Sequence, residues 1–253
     1  MQTNFRNLQV YADGNAIAAG CRLRLSGSES LSLHPGFFQL TVRNLSSTSA
    51  SLLAEAKRLE VRSGATILAS GEITDAHTHF NQGNQLTEIA FASGLSLWES
   101  AVSLYLPADT TVSETVKELL AASGAGVPLT AFTGTDHTFS RPQAFFGRTV
   151  TALGHLAAAA EADAWLSPAG LVFSGKADRK VAVILTEKDL LSAPTAAEGC
   201  VILTTSMTGW PAGAFLRYTY KGITGEGRIL KRTIEADNTE GPWRSVLVIQ
   251  NAR

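Results

Sequence analysis

The chain has 253 residues, a formal net charge of −1, and charged residues make up only 17% of it. A near-neutral charge argues against general attraction to nucleic acid. The sequence contains no apolar run long enough to span a membrane, and two cysteines are too few for a disulfide framework. The length permits one large domain or two to three small ones, and the low charge suits β structure with extensive protein contacts.

The first hundred residues favour β-strands separated by turns. In the segment GFFQLTVRNL, Phe38, Leu40 and Val42 alternate with polar residues, as in a strand with one buried face. The segment at 46–57, SSTSASLLAEAK, predicts a short helical insertion with Ser and Thr available as caps. We therefore predict a β-rich region over residues 1–106, in the form of a barrel or a sandwich.

The pattern changes to helical spacing at residues 107–178. Thr111 and Glu114 have the spacing of a capping box and precede an apolar stripe. We predict the two longest helices near 111–123 and 147–161. A hairpin, AWLSPAGLVFSG, follows the second helix. This stretch therefore predicts a small α/β module.

From residue 179 to residue 253 the sequence returns to strands with Gly and Pro between them. The predicted strands are VAVILT, GCVILTTS, GAFLRYTY, GRILKRTIEA and WRSVLVIQ. The predicted fold class is therefore mainly β with a small α/β insertion.

The segment GEITDAHTHF carries the strongest signal of chemistry. Asp75, His77 and His79 would share one face of a strand, and an Asp-x-His-x-His run begins the active site of many metal-dependent amidohydrolases. A minority interpretation is therefore a small metal-dependent hydrolase that uses these three residues.

Three observations count against that hydrolase. The chain after His77 is shorter than the roughly 200 residues of the smallest (β/α)₈ barrels. The histidines run through NQGN into another strand, which predicts a β-hairpin. A catalytic zinc usually needs three protein ligands, and His34, His137 and His155 are poorly placed to supply the third. We therefore predict no catalytic residue, no metal and no cofactor.

The order of the elements resembles a known family. The segments TVSETVKELLAASGAGV and FFGRTVTALGHLAAAAEADAWLSPAGLVFSG follow a β-rich region, and WPAGAFLRYTYKGITGEGRILKRTIEADNTEGPWRSVLVIQ closes the chain. An acidic turn at 235–238 and a Gly-x-Trp entry at Gly241 precede the last strand. This arrangement, over roughly residues 5–250, resembles the baseplate hub proteins of tailed bacteriophages. That family includes late-control tail proteins, tailocin hubs and the hub part of type VI secretion spikes.

The resemblance implies two tube-like antiparallel β-barrels, at 1–106 and 179–253, and a helix–hairpin module at 107–178. It implies a homotrimeric ring that joins a hexameric tail tube to a central spike, with contacts to the tape measure protein also expected. DNA would pass through the ring without specific binding, and no cofactor is implied. The chain would belong to the tail tip of a virion assembled in the host bacterial cytoplasm. The alternative is a tail tube or another baseplate component with the same barrel fold.

Overall fold

The computed structural model describes residues 6–81, 83–207 and 209–251. Contacts divide these residues into two compact units. The β unit takes the residues up to Glu29, Gly36–Ser93 and the residues from Val181 onward, and the α/β unit takes Ser30–Pro35 and Gly94–Lys180. The predicted mainly β class is confirmed.

The first half of the chain contains eight strands and two helices among the described residues. They are β1 (Gln9–Ala12), β2 (Asn15–Ile17), β3 (Arg22–Ser30), β4 (Gly36–Arg43), α1 (Ser47–Glu55), β5 (Arg58–Ser63), β6 (Thr66–Asn81), β7 (Asn84–Ser93), α2 (Leu95–Glu99) and β8 (Ala101–Leu106).

The second half adds ten strands, two helices and a short 3₁₀ turn at Glu187–Asp189 among the described residues. They are α3 (Val112–Ser123), β9 (Leu129–Phe132), β10 (Gln143–Arg148), α4 (Thr149–Ala159), β11 (Ala162–Ser167), β12 (Gly170–Gly175), β13 (Val183–Leu185), β14 (Thr195–Ala197), β15 (Cys200–Ser206), β16 (Phe215–Tyr220), β17 (Ile223–Asp237) and β18 (Trp243–Asn251).

The β unit is built on one hydrogen-bonded sheet of thirteen strands. The strand order is β14-β15-β18-β17-β3-β4-β7-β6-β5-β1-β2, and β16 joins through β17 and carries β13 on its other side. Pairs such as β3–β4 and β17–β18 are antiparallel, whereas β13 and β16 are parallel. The sheet therefore runs without a break from the N-terminal strands to the C-terminal strands, through the pairing of β17 with β3.

Two apolar cores lie in this unit. The first core collects side chains from β1–β7, including Val10, Leu25, Leu40, Val61 and Phe91. The second core collects side chains from β13, β15, β16, β17 and β18, including Leu185, Leu203, Leu216 and Leu247.

Strand β17 contributes to both cores. Ile229 belongs to the second core, whereas Ile234 and Ala236 belong to the first. The register against β18 shifts between Ile229 and Lys231, as in a β-bulge. A bulge adds one residue and so moves the buried positions from odd to even numbers. One strand can therefore supply side chains to two cores in turn.

A buried ion pair lies at the change from one core to the other. The side chains of Arg232 on β17 and Glu29 on β3 are 0% and 3% exposed, and Nε of Arg232 lies 3.1 Å from Oε1 of Glu29. Arg232 Nη2 donates to the Leu68 carbonyl of β6 at 2.7 Å, and Glu29 Oε1 accepts from the Ala212 amide at 2.9 Å. Burial lowers the pKa of Arg232, and the charge of Glu29 opposes this shift. The pair and its hydrogen bonds thus connect β17, β3 and β6 to the loop before β16.

The turn after β17 fastens β17 to β3. The Asn238 amide donates to the Leu23 carbonyl at 3.1 Å, and the Asn238 side chain accepts from the Leu23 amide at 2.8 Å. Asp237 accepts hydrogen bonds from Thr239 and pairs with Arg22 at 3.2 Å. Burial raises the pKa of Asp237. The hydrogen bonds and the Arg22 charge lower it by more than burial raises it, so the pKa of Asp237 lies below the usual value. The acidic turn of the sequence is therefore a structural joint.

The α/β unit has its own core between the helices and two small sheets. Leu119, Leu153 and Phe173 are fully buried there. Strand β8 pairs with β10, and β12 pairs with both β11 and β9. Strand β8, at the end of the 1–106 region, thus lies in this unit. In the described residues, no helix is both long enough and apolar enough to cross a membrane.

Both predicted helices are present, with one shifted start. The capping box of Thr111 and Glu114 is formed on α3, which ends at Gly124 in the left-handed conformation. Helix α4 begins at Thr149 rather than at 147. The reason is that Gly147 has a φ of +100° and belongs to β10, and this φ is incompatible with a right-handed helix.

Removing the buried counter-charge should destabilise the β unit. We expect Glu29→Gln to lower the free energy of unfolding by about 3–5 kcal/mol, because Arg232 would keep its buried charge without the counter-charge of Glu29. The matched control is Glu226→Gln, which removes the exposed pair with Arg217 at 3.0 Å and should cost no more than about 1 kcal/mol. Urea unfolding measures the stability of both variants. Equal losses of stability would contradict the prediction that the buried pair matters more than the exposed one.

The Asp237 joint should make stability depend on pH. A carboxyl whose pKa is lowered by folding stabilises the protein above its unfolded pKa of about 3.9, and the contribution is lost as the pH falls through the lower folded value. We expect Asp237→Asn to cost about 1–3 kcal/mol at neutral pH and progressively less below about pH 4. The free energy of urea unfolding, measured at neutral pH and below about pH 4, tests this prediction. The control is Glu240→Gln, because Glu240 is exposed. A loss that is independent of pH would refute it.

Candidate functional site

The distal part of β6 extends beyond the first core. On this strand residues 68–71 are all buried, whereas residues 74–81 are all exposed. Strand β5 pairs with β6 only as far as Glu72, so it does not cover the outer edge of β6 beyond that point. The predicted turn at 81–84 includes Gln82, which lies outside the described residues. The histidines thus lie on an exposed β-ribbon.

The hairpin register places four ionisable side chains on one face. His77 pairs directly with Glu88 of β7, and Asp75 and His79 lie two positions to either side of His77. His77 Nδ1 lies 3.2 Å from Asp75 Oδ2, and its Nε2 lies 3.1 Å from Glu88 Oε2. The rings of His77 and His79 stack with centroids 5.9 Å apart. We call these four residues the histidine cluster.

The polar side of β4 continues this face. Thr41 pairs with Glu88, and Arg43 pairs with Leu86, which itself pairs with His79. The alternation of GFFQLTVRNL thus places Thr41 and Arg43 beside the cluster, and it places Phe38, Leu40 and Val42 in the first core.

The structure brings together Asp75, His77 and His79 as the strand spacing predicts, and it adds Glu88. His77, His79 and Glu88 offer ligand atoms within 4.8 Å of one another. Sequence reasoning missed Glu88, although a signal was present. A turn at 81–84 fixes the hairpin register, and that register sets residue 88 opposite residue 77.

The surroundings of the histidines differ from those of a hydrolase. Enzyme sites are usually concave and exclude most water. Here the His77 side chain is 54% exposed on an edge strand of the sheet, and the strand leads into β7, as the hairpin context predicts. These observations weigh against the hydrolase interpretation of Asp75, His77 and His79.

A second exposed surface lies on the α/β unit. In the β8–β10 pair, Tyr105 lies opposite Ala144 and Phe146 lies opposite Ser103, so both aromatic side chains are on one face. They are 67% and 77% exposed. Exposed aromatic residues on a face with few charges are typical of protein–protein interfaces.

Comparison with known proteins gives no match to a family model and no match among curated proteins. Solved structures do match. A tail protein from Neisseria meningitidis MC58 superposes with a TM-score of 0.70 at 12% identity, over 96% of this chain and 95% of its own. The 43 kDa tail protein of prophage MuSo2 from Shewanella oneidensis gives 0.69 at 11% identity, over 96% and 97%.

A third similar structure comes from a secretion system. A component of the E. coli type VI secretion system, described as structurally similar to the T4 bacteriophage tail proteins gp27 and gp5, gives a TM-score of 0.64 at 10% identity. The match covers 96% of this chain and 77% of that one. The chain therefore has the fold of these phage tail and type VI secretion proteins. The resemblance to baseplate hub proteins is confirmed for the fold.

The exposed position of the hairpin tip predicts that Phe80 and Phe91 contribute very differently to the free energy of unfolding. Phe80 at the tip is 80% exposed, whereas Phe91 of the same hairpin is 1% exposed in the first core. We expect Phe80→Ala to change the free energy of unfolding by no more than about 0.5 kcal/mol. Phe91→Ala should cost about 3–5 kcal/mol. Denaturant unfolding of both variants checks this, and a large loss in Phe80→Ala would show that the tip packs against the protein.

Proposed function

We propose that the chain is a structural baseplate or tail-tip hub protein of a phage tail, in which three copies form a ring around the DNA channel. The ring connects the hexameric tail tube to the central spike. The observation that carries this proposal is the fold match to phage tail proteins over nearly the whole of both chains. The similarity of the secretion component to gp27 and gp5 supports a place beside a spike.

The two cores of the β unit support the symmetry of this proposal. A sixfold tube can rest on three subunits if each subunit presents two similar docking surfaces. The β unit has two apolar cores. One is built mainly from strands before Ser93 and is completed by Ile234 and Ala236 of β17, and the other is built from strands after Val181. We propose that the sheet closes around these cores into two tube-like barrels, one for each docking surface.

The surface composition supports a role in assembly. Charged residues make up 17% of the chain, below the usual quarter, and Tyr105 and Phe146 are exposed on one face. The proposed partners are further copies of the chain, the tail tube protein, the spike protein and the tape measure protein. Near-neutral charge suits a channel through which DNA passes without being held.

The proposed location is the tail tip of the virion, after assembly in the host bacterial cytoplasm. This role needs no catalytic residue and no cofactor. The exposed position of the histidines on a β-ribbon agrees with a structural role for the chain rather than an enzymatic one.

Reconstruction of the assembled tail tip tests the proposal. We expect three copies of the chain in one ring on the tail axis, each with both β-regions facing the channel. Six copies per ring would overturn the hub and identify a tail tube protein. A position away from the axis would overturn it in favour of a peripheral baseplate component. The purified chain can be measured in parallel by sedimentation, with and without the spike protein, to show whether the ring needs a template.

A further inference from the structure

The histidine cluster has the donors and the spacing of a metal site. We propose that it binds one zinc ion, with His77 Nε2, His79 and Glu88 as the ligands and Asp75 as an outer carboxylate. The ion would join β6 to β7 in the part of the hairpin that lies beyond the core. This inference concerns the isolated chain and does not depend on its place in a tail.

The donor set matches zinc chemistry. Zinc is bound by imidazole nitrogens and carboxylate oxygens at about 2.0–2.2 Å. Two such ligands on a tetrahedral ion are therefore about 3.3 Å apart. His77 Nε2 and Glu88 Oε2 already lie 3.1 Å apart. One ligand atom from each of the three residues lies within 4.8 Å of the other two. Small side-chain rotations therefore bring these atoms to tetrahedral spacing.

Asp75 orients His77 for this role. A histidine that binds a metal usually donates its other ring N–H to a carboxylate, which fixes the tautomer and the orientation of the ring. Asp75 Oδ2 lies 3.2 Å from His77 Nδ1. With the proton on Nδ1, the lone pair of Nε2 points toward Glu88. Asp75 is thus a positioning residue rather than a ligand, which differs from the hydrolase interpretation.

The local charge favours a cation. Asp75 and Glu88 both flank His77 on this face. Arg43 lies on the same face but two strands away from His79, at roughly 10 Å given the strand spacing. The nearest formal charges to the three ligands are therefore carboxylates.

The hairpin would gain stability from such a link. Beyond Glu72, β6 pairs with β7 but has no strand of the described residues on its other side, whereas β7 also pairs with β4. Residues 74–81 of β6 have exposed side chains. A metal bound by β6 and β7 would hold this edge strand to the sheet where the core does not. Three protein ligands leave the fourth position to water or to a donor from a neighbouring molecule.

The sequence predicts no metal, because His34, His137 and His155 are poorly placed to supply a third ligand. In the folded hairpin Glu88 supplies that ligand from the opposite strand. The proposed ion is a link between strands and not a catalytic metal.

Metal titration of the untagged, chelator-treated chain tests this inference. Zinc affinity is measured by competition with a chromophoric chelator, and cobalt(II) absorption reports the coordination geometry. We expect one zinc ion per chain. Binding should be lost in His77→Ala, His79→Ala and Glu88→Gln, and Asp75→Asn should weaken it about 10–100-fold. His155→Ala removes an exposed histidine from α4 and should bind zinc as the parent chain does.

Circular dichroism shows whether each variant keeps the β-rich fold. Folded ligand variants that lose zinc, together with a normal His155→Ala, support the site. Failure of the parent chain to bind zinc overturns it. Equal loss in His155→Ala, or unchanged binding in folded His77→Ala, overturns it as well. An unchanged affinity in Asp75→Asn would overturn the positioning role of Asp75.

Discussion

The ion pair between Arg232 and Glu29 is the constraint on which the β unit depends. Removing two charges from water costs several kcal/mol per ion, and this cost is offset only when the pair has good geometry and further hydrogen bonds. The Leu68 carbonyl and the Ala212 amide supply these further hydrogen bonds. The pair lies where β17 passes from the second core to the first, next to the register shift at Ile229 and Lys231.

The consequence is that two β-regions share one sheet. Strand β17 serves both cores through its bulge, and the turn at Asn238 ties its end to β3. Residues that the family resemblance singled out as an acidic turn thus hold the N-terminal and C-terminal strands together. In the proposed hub, such a connection would keep the two β-regions from moving independently, which a match with a sixfold tube requires.

The β6–β7 hairpin, in contrast, carries side chains that burial does not hold in place. Residues 68–71 of β6 are buried, whereas residues 74–81 of the same strand are exposed. The histidine cluster and Phe80 lie where β6 is exposed. Burial does not hold these side chains in place, so their positions follow from strand register and from contacts with one another. Such a surface is suited to binding a metal ion or a neighbouring protein.

The sequence by itself determined the local features. Alternation gave the strands, the spacing of Thr111 and Glu114 gave α3, and the turn after His79 gave the hairpin. These features depend on contacts between residues close in the chain. Only the tertiary structure decided three other features. They are the pairing of β17 with β3, the position of β8 in the α/β unit, and the ion pair between Glu29 and Arg232. They join residues far apart in the chain, and no local pattern predicts which distant strand or charge will lie next to a given strand or charge in the fold. Glu88 lies between these cases, because a turn fixes its register but only the folded hairpin brings its carboxylate to His77.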